Sequence, residues 1–221
     1  MMMMDIIFSV KRPRTYVGRS KEEKAESHER IVRTAAARFR EKGVDGIGVA
    51  DLMQEAGLTH GGFYRHFASR DALVAEAVER ALRDGGRGAA SLEERLHEGA
   101  PFTPDALLAR KKLLWAALVD GYLSLAHRDN LATSCAVTTL AQDVARSNDR
   151  ARLAYGIQVD AYLALFTQLI AVEKGKRRRA KAIAALATLV GAVSMARAVG
   201  NDQLSQEILK AAAEELKGQL A

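Results

Sequence analysis

Residues Ala50 to Phe67 read Ala-Asp-Leu-Met-Gln-Glu-Ala-Gly-Leu-Thr-His-Gly-Gly-Phe-Tyr-Arg-His-Phe, and two short helical patterns meet inside that stretch. Leu52, Met53 and Ala56 share one face at helical spacing. Gly57 follows, a residue type that takes a positive φ without steric cost, and Leu58 is placed to fill the corner. Thr59 stands where a second helix begins, with a hydroxyl able to accept a hydrogen bond from a free amide two or three residues on. Phe63 and Phe67, four apart, turn to the same inner side. That leaves His60, Gly61, Gly62, Tyr64, Arg65 and His66 pointing outward, toward a major groove if one is present; this is the layout of a helix-turn-helix.

The pattern continues on both sides. Upstream, Ile31, Val32, Ala35, Ala36 and Phe39 form the inner stripe of a helix over about 27–42, ended by Gly43. Downstream, Ser69 caps a helix with Asp71 in its first turn and Leu73, Val74, Ala77, Val78, Ala81 and Leu82 on its inner side. Asp84 to Gly88, with glycine at 85, 86 and 88, marks the expected end or kink of that helix. Ala56, Gly57, Leu58, Thr59, Tyr64, His66, Phe67, Ser69 and Arg70, with Ile31, Ala35, Ala36, Phe39 and Gly43 ahead of them, closely resemble the TetR family of bacterial transcriptional regulators over residues 27–84. One departure lies at Gly48, where the family usually has a Ser or Thr that caps a helix and touches a phosphate. The resemblance implies double-stranded DNA as a partner, with Thr59 in the contact set, Tyr64 and His66 on phosphates and Arg70 adding positive charge near the backbone. His60, Gly61, Gly62 and Arg65 would then face bases or sugar; glycine has no side chain to read with, so the pair at 61 and 62 implies close backbone approach.

The chain has 221 residues, 48% hydrophobic and 27% charged, which is globular composition with room for one extended domain or two small ones. Few prolines, 5% aromatics and the scarcity of alternating β-branched runs point to an all-α fold. A lone Cys135 makes no internal disulfide, and the short apolar run Ile6 to Val10 lacks a cleavage pattern, so a cytoplasmic location is expected. The net charge is +6, yet residues 1–84 carry 15 Lys/Arg against 13 Asp/Glu and residues 85–221 carry 18 against 14, so the helix-turn-helix half is not the more basic one. Its positive charge collects in Lys11, Arg12, Arg14, Arg19, Lys21 and Lys24, a basic arm over 1–26 that reads as a flexible tail or as a DNA contact. The uncharged stretch Ala182 to Ala196 falls short of the ~20 residues a span needs and is rich in alanine, so no membrane partner is expected.

Residues 85–221 read as a helical regulatory and dimerisation domain. Thr103-Pro104-Asp105 opens a helix to about His127, and Asn148-Asp149 opens another to about Val172. A basic connector over 174–181 leads into a helix that Gly200 stops, and Asn201 caps the last one, for about nine helices in all. Ala184, Ala187, Gly191, Ser194 and Ala198 make a stripe of small residues along which another helix can come close, either inside one chain or from a partner. The resemblance implies that the last two long helices pair with those of a second copy, so a homodimer is expected, with Leu204, Ile208 and Ala212 as the last helix's share. Trp115 and Tyr122, and Tyr155 and Tyr162, stand seven apart on two central helices; with Phe166 and Cys135 they are candidates to line a pocket for a small-molecule effector, ordinary core packing being the alternative. Cys135 enters a helix from a loop, where a thiolate is stabilised by the dipole; it reads as a redox sensor or as a small apolar filler.

No catalytic constellation is present. The histidines at 28, 60, 66, 97 and 127 lack metal-ligand spacing, and there is no nucleophile elbow, phosphate loop or dinucleotide fingerprint, so neither metal nor cofactor is expected. The expected protein is a non-enzymatic, ligand-released repressor that binds a pseudo-palindromic operator as a dimer. Two alternatives remain at this point: a helical interaction protein that keeps the fold without DNA binding, and a thiol-based redox-sensing regulator using Cys135.

Overall fold

The computed structural model describes residues 21–99, 102–170 and 176–218, which are helix, turn or loop throughout. The helices are α1 (Lys21–Lys42), α2 (Val49–Glu55), α3 (Arg70–His97), α4 (Pro104–Tyr122), α5 (Leu125–Asp129), α6 (Ala136–Thr139), α7 (Ala141–Ala145), α8 (Asp149–Leu169), α9 (Lys176–Ala198) and α10 (Asp202–Gly218), with a 3₁₀ segment His60–Arg65 between α2 and α3. The all-α class and the two-part plan stand; the number of helices exceeds the nine expected, because α5, α6 and α7 are four- and five-residue pieces that carry too little periodicity to read. The helix expected to reach His127 stops at Tyr122, where Ser124 starts α5 by accepting the His127 N–H at 3.1 Å.

α1 begins at Lys21 rather than near Ser27. Lys, Glu and Ala are strong helix formers, and Glu22 and Glu23 in the first turn suit the dipole. Residues 21–26 of the basic arm are therefore helical, while 1–20, with Lys11, Arg12, Arg14 and Arg19, lie outside the described residues. The basic residues 177–181 likewise belong to α9 rather than to a connector, and 171–175 lie outside the described residues.

The stop or kink expected at Asp84 to Gly88 is absent: α3 runs unbroken from the helix-turn-helix into the body. Two of its glycines, Gly85 and Gly86, serve close packing. A Cβ on residue 85 would lie 3.4 Å from the Tyr162 hydroxyl and 3.8 Å from Cys135 Cα, and one on residue 86 would lie 3.1 Å from the Gln158 amide oxygen. Each of these two costs a helix about 1 kcal/mol relative to alanine, and packing of α3 along α8 offsets it.

In the body, Trp115 packs edge-on against Phe166 with centroids 5.3 Å apart, and its indole N–H donates to the Leu216 carbonyl at 2.7 Å, tying α4 to α10. α9 is long and apolar enough to cross a membrane by length and composition alone. Its inner face, from Ala182 through Leu189 and Val193 to Ala196, is buried in a bundle with α8, α6 and α10.

Candidate functional site

The helix-turn-helix rests on a closed core of Ile31, Ala35, Phe39, Leu52, Met53, Phe63, Phe67 and Leu73. Gly57 takes φ +70° at the turn, as the pattern requires. The recognition segment differs from expectation in two ways. It is 3₁₀ rather than α, since two adjacent glycines penalise a regular helix. The Thr59 hydroxyl does not cap it; instead the Thr59 carbonyl accepts the Gly62 N–H at 2.9 Å. Gly48 caps α2 through its backbone alone.

His60, Gly61 and Arg65 are exposed, and Tyr64 is 76% exposed although its neighbours Phe63 and Phe67 are buried. No atom outside the neighbouring residues lies within 4 Å of a Cβ placed on Gly61, so that face is open to a partner's backbone. His66 is half-buried, with its ring 6.1 Å from His28 and 6.4 Å from Phe67. His28 bridges the unit, stacking on Phe67 at 4.6 Å and meeting Glu76 of α3 at 2.6 Å. Arg70 turns inward to the α1–α2 loop: its guanidinium donates to the Val44 carbonyl at 2.6 Å and to Asp45 at 3.0 Å. Its geometry is that of a loop clamp, a role no local pattern announces.

The six aromatic and thiol candidates separate into two groups. Trp115 and Phe166 are core packing partners. Tyr122, Cys135, Tyr155 and Tyr162 meet at a polar node between α3, α6 and α8. Cys135 Sγ lies 3.8 Å from the Tyr162 hydroxyl, Tyr122 pairs with Thr138 at 2.5 Å, and Tyr155 donates to the Val137 carbonyl at 2.8 Å. Burial, with Cys135 adjacent, raises the Tyr122 and Tyr162 phenols well above the usual value, so both remain protonated donors. His127 holds the loop beside them. The Cys135 N–H donates to its Nε2 at 3.2 Å, which leaves Nδ1 to donate to the Tyr122 carbonyl at 2.6 Å. Burial lowers its pKa, with the Tyr122 carbonyl opposing and the Arg197 charge adding to the shift. Arg197 closes the node from α9, donating to Ser134 Oγ at 2.6 Å and to the His127 and Arg128 carbonyls.

Ala184, Ala187, Ser194 and Ala198 are exposed along α9, with Gly191 half-exposed, and Ile183 and Met195 beside them are exposed apolar residues. On α10, Leu204 is exposed, and Ile208 and Ala212 are half-buried. Leu153 and Ile157 add an exposed apolar pair on α8 that the stripe of small residues did not bring to notice.

Residues 31–77 match the model of the bacterial regulatory proteins, tetR family. An HTH-type transcriptional regulator of Bacillus subtilis, YerO, is 37% identical over 54 residues, 24% of this chain and 19% of that protein, and a second, YvdT, is 34% identical over 55 residues, 25% of this chain and 28% of its own length. The chain thus spans well under half of those two relatives. A Mycobacterium tuberculosis HTH-type regulator, Rv0196, is 29% identical over 177 residues, covering 76% of this chain and 83% of the relative. Among solved structures, a TetR transcriptional regulator from Chloroflexus aurantiacus superposes with a TM-score of 0.68 at 25% identity over 89% of this chain and 95% of that one. The reduced form of E. coli NemR gives 0.68 at 20% identity over 87% and 96%. Family match, relatives and fold agree with the geometry of the recognition segment: residues 31–77 carry the sequence of the bacterial regulatory proteins, tetR family, and the chain shares the fold of solved TetR-family regulators.

Proposed function

We propose that the protein is a cytoplasmic, ligand-released repressor whose homodimer sets two recognition segments into successive major grooves of a pseudo-palindromic operator. The observation that carries this reading is the outward set His60, Gly61, Tyr64 and Arg65 on a segment anchored by buried Phe63 and Phe67. Tyr64 serves a phosphate, which gives affinity without sequence preference, while His60 and Arg65 supply the base contacts. The exposed stripe on α9, continued by Leu204 on α10, is the dimer face. An effector acts at the node of Tyr122, Cys135, Tyr155 and Tyr162, where α3 passes at Gly85, so that a change there is carried to the head. A coupling of roughly 1–3 kcal/mol is enough for such a switch.

Binding of duplexes by the Tyr64→Ala and His60→Ala variants tests the assignment. Tyr64→Ala should weaken selected and random sequences alike, and His60→Ala should change which sequence is preferred. Equal losses on all sequences from both variants would remove the division of roles.

A redox reading is favoured by one contact, Cys135 Sγ against the Tyr162 hydroxyl on the face that α3 crosses. It predicts that peroxide treatment releases DNA from the wild type and not from Cys135→Ser.

A further inference from the structure

The head meets the body through α3, through packing of α1 on α6, and through a set of polar contacts. α3 passes from one to the other as a single helix. On another side, residues 143–150 reach back to the head at three points. Asp143 Oδ1 of α7 accepts the Val44 N–H at 3.1 Å, in the α1–α2 loop. Asn148 Nδ2 donates to the Asp71 carbonyl at 3.2 Å, while its Oδ1 caps α8 by accepting the Ala151 N–H at 3.0 Å. Arg150 grips Glu79 with two donors, at 2.6 and 2.8 Å.

The first of these points engages the loop that Arg70 also holds, since Val44 gives its N–H to Asp143 and its carbonyl to Arg70. Gly43, at φ +77°, makes the turn that presents this N–H, and a Cβ there would stand 3.5 Å from the same carboxylate. One continuous helix fixes the distance between two rigid units but leaves twist and bending about its own axis. The Asp143 bond, set off that axis, opposes twist, and the Asn148 and Arg150 bonds, which land on the head end of α3 itself, oppose its bending away from α8. They lie at exposed and half-exposed positions, so they orient the head without forming its core.

We infer that residues 143–150 are a latch that positions the DNA-reading head on the body, with Asp143, Asn148 and Arg150 as positioning residues for operator recognition. The latch rests on the proposal that the head binds DNA. It also starts where the node ends, because α6 and α7 follow directly on Cys135. The role it adds is control of half-site spacing: a latched pair of heads accepts one separation, and an unlatched pair accepts several.

The test uses the full-length protein and a duplex that it selects from a random pool, with one or two base pairs then inserted between the half-sites. Each insertion moves a half-site by about 3.4 Å and about a tenth of a turn. Wild type should lose about tenfold or more in affinity per insertion, and Asp143→Ala with Asn148→Asp and Arg150→Glu should lose less than about threefold, on the scale of single-site penalties. Asn148→Asp keeps the α8 cap while replacing the donor by a carboxylate oxygen that repels the Asp71 carbonyl. Asp143→Asn retains an acceptor oxygen and should behave as wild type, and Glu79→Arg added to Arg150→Glu should restore that pair in reverse. A wild type that selects no DNA overturns the DNA-reading proposal itself. A wild type that selects DNA while the triple variant keeps its spacing profile overturns the latch alone. Should the triple variant misfold, Asp143→Ala is read by hydrogen exchange over 43–48: faster exchange there, with α1 and α2 unchanged, supports the latch, and unchanged exchange overturns it.

Discussion

His127 divides its two nitrogens between an acceptor, facing the Cys135 N–H and Ser134 Oγ, and a donor to the Tyr122 carbonyl, and its burial disfavours a second proton. Protonation at Nε2 would set an N–H against the Cys135 N–H, in reach of the Arg197 charge. The folded state therefore binds this proton less readily than the unfolded chain, whose histidine has a pKa near 6.5. A depressed histidine contributes stability that is complete above that value and is lost progressively as the pH falls below it. Urea unfolding between about pH 7 and pH 5 should show stability declining with acid, and His127→Ala should be less stable at neutral pH but flatter over that range. An unchanged slope in the variant would assign the effect to another group. At the same scale, Arg70 shows what residue identity alone leaves out: a cation next to a recognition segment reads as positive charge near the DNA backbone, and its guanidinium also holds Val44 and Asp45 of the α1–α2 loop.

Among the elements, α3 carries three glycines that cost helix stability, and their surroundings separate them. Gly88 has nothing within 4 Å of a would-be Cβ, so Gly88→Ala should stabilise the protein by about 0.5–1 kcal/mol in thermal or chemical unfolding. Gly85→Leu should instead destabilise by about 1–3 kcal/mol, because its branches would enter the space of Tyr162 and Cys135. A stabilising Gly85→Leu would show that the node is looser than its contacts imply. The glycines also mark the limit of what the chain reveals before it folds. Helices α1, α2, α4, α8 and α10 and the turn at Gly57 were legible because apolar period, caps and a positive-φ requirement all act within a few residues. Whether a glycine ends a helix or admits a neighbour depends on what packs against it, and here that neighbour lies far along the chain. The same holds for the contact between Asp143 and Val44, two residues that no local pattern connects. The outward placement of His60, Gly61, Tyr64 and Arg65 was legible in the sequence, whereas the half-burial of His66 and the inward turn of Arg70 came only with the tertiary structure.

At the scale of the molecule, the most informative surface is the one on which the single chain leaves small and apolar residues in water. Ala184, Ala187, Ser194 and Ala198 lie on the outer side of α9 while its inner side is buried, so the small-residue stripe is not needed for packing within one chain. Nothing stands within 4 Å of a Cβ on Gly191, and a large residue there meets no neighbour in the isolated subunit. Ala187→Arg with Gly191→Arg should therefore fold with unchanged helix content. In a close helix pair, though, each arginine would lose its water without gaining a partner, a penalty of several kcal/mol per buried unpaired charge. Light scattering should find a wild-type dimer and a variant at the 24.0 kDa of one chain. Operator affinity should then fall about 10²–10⁴-fold, since the second head no longer benefits from being tethered to the first. A monomeric wild type would overturn the dimer proposal, and a dimeric variant would move the interface to another face, with Leu153 and Ile157 of α8 the next exposed apolar pair to substitute.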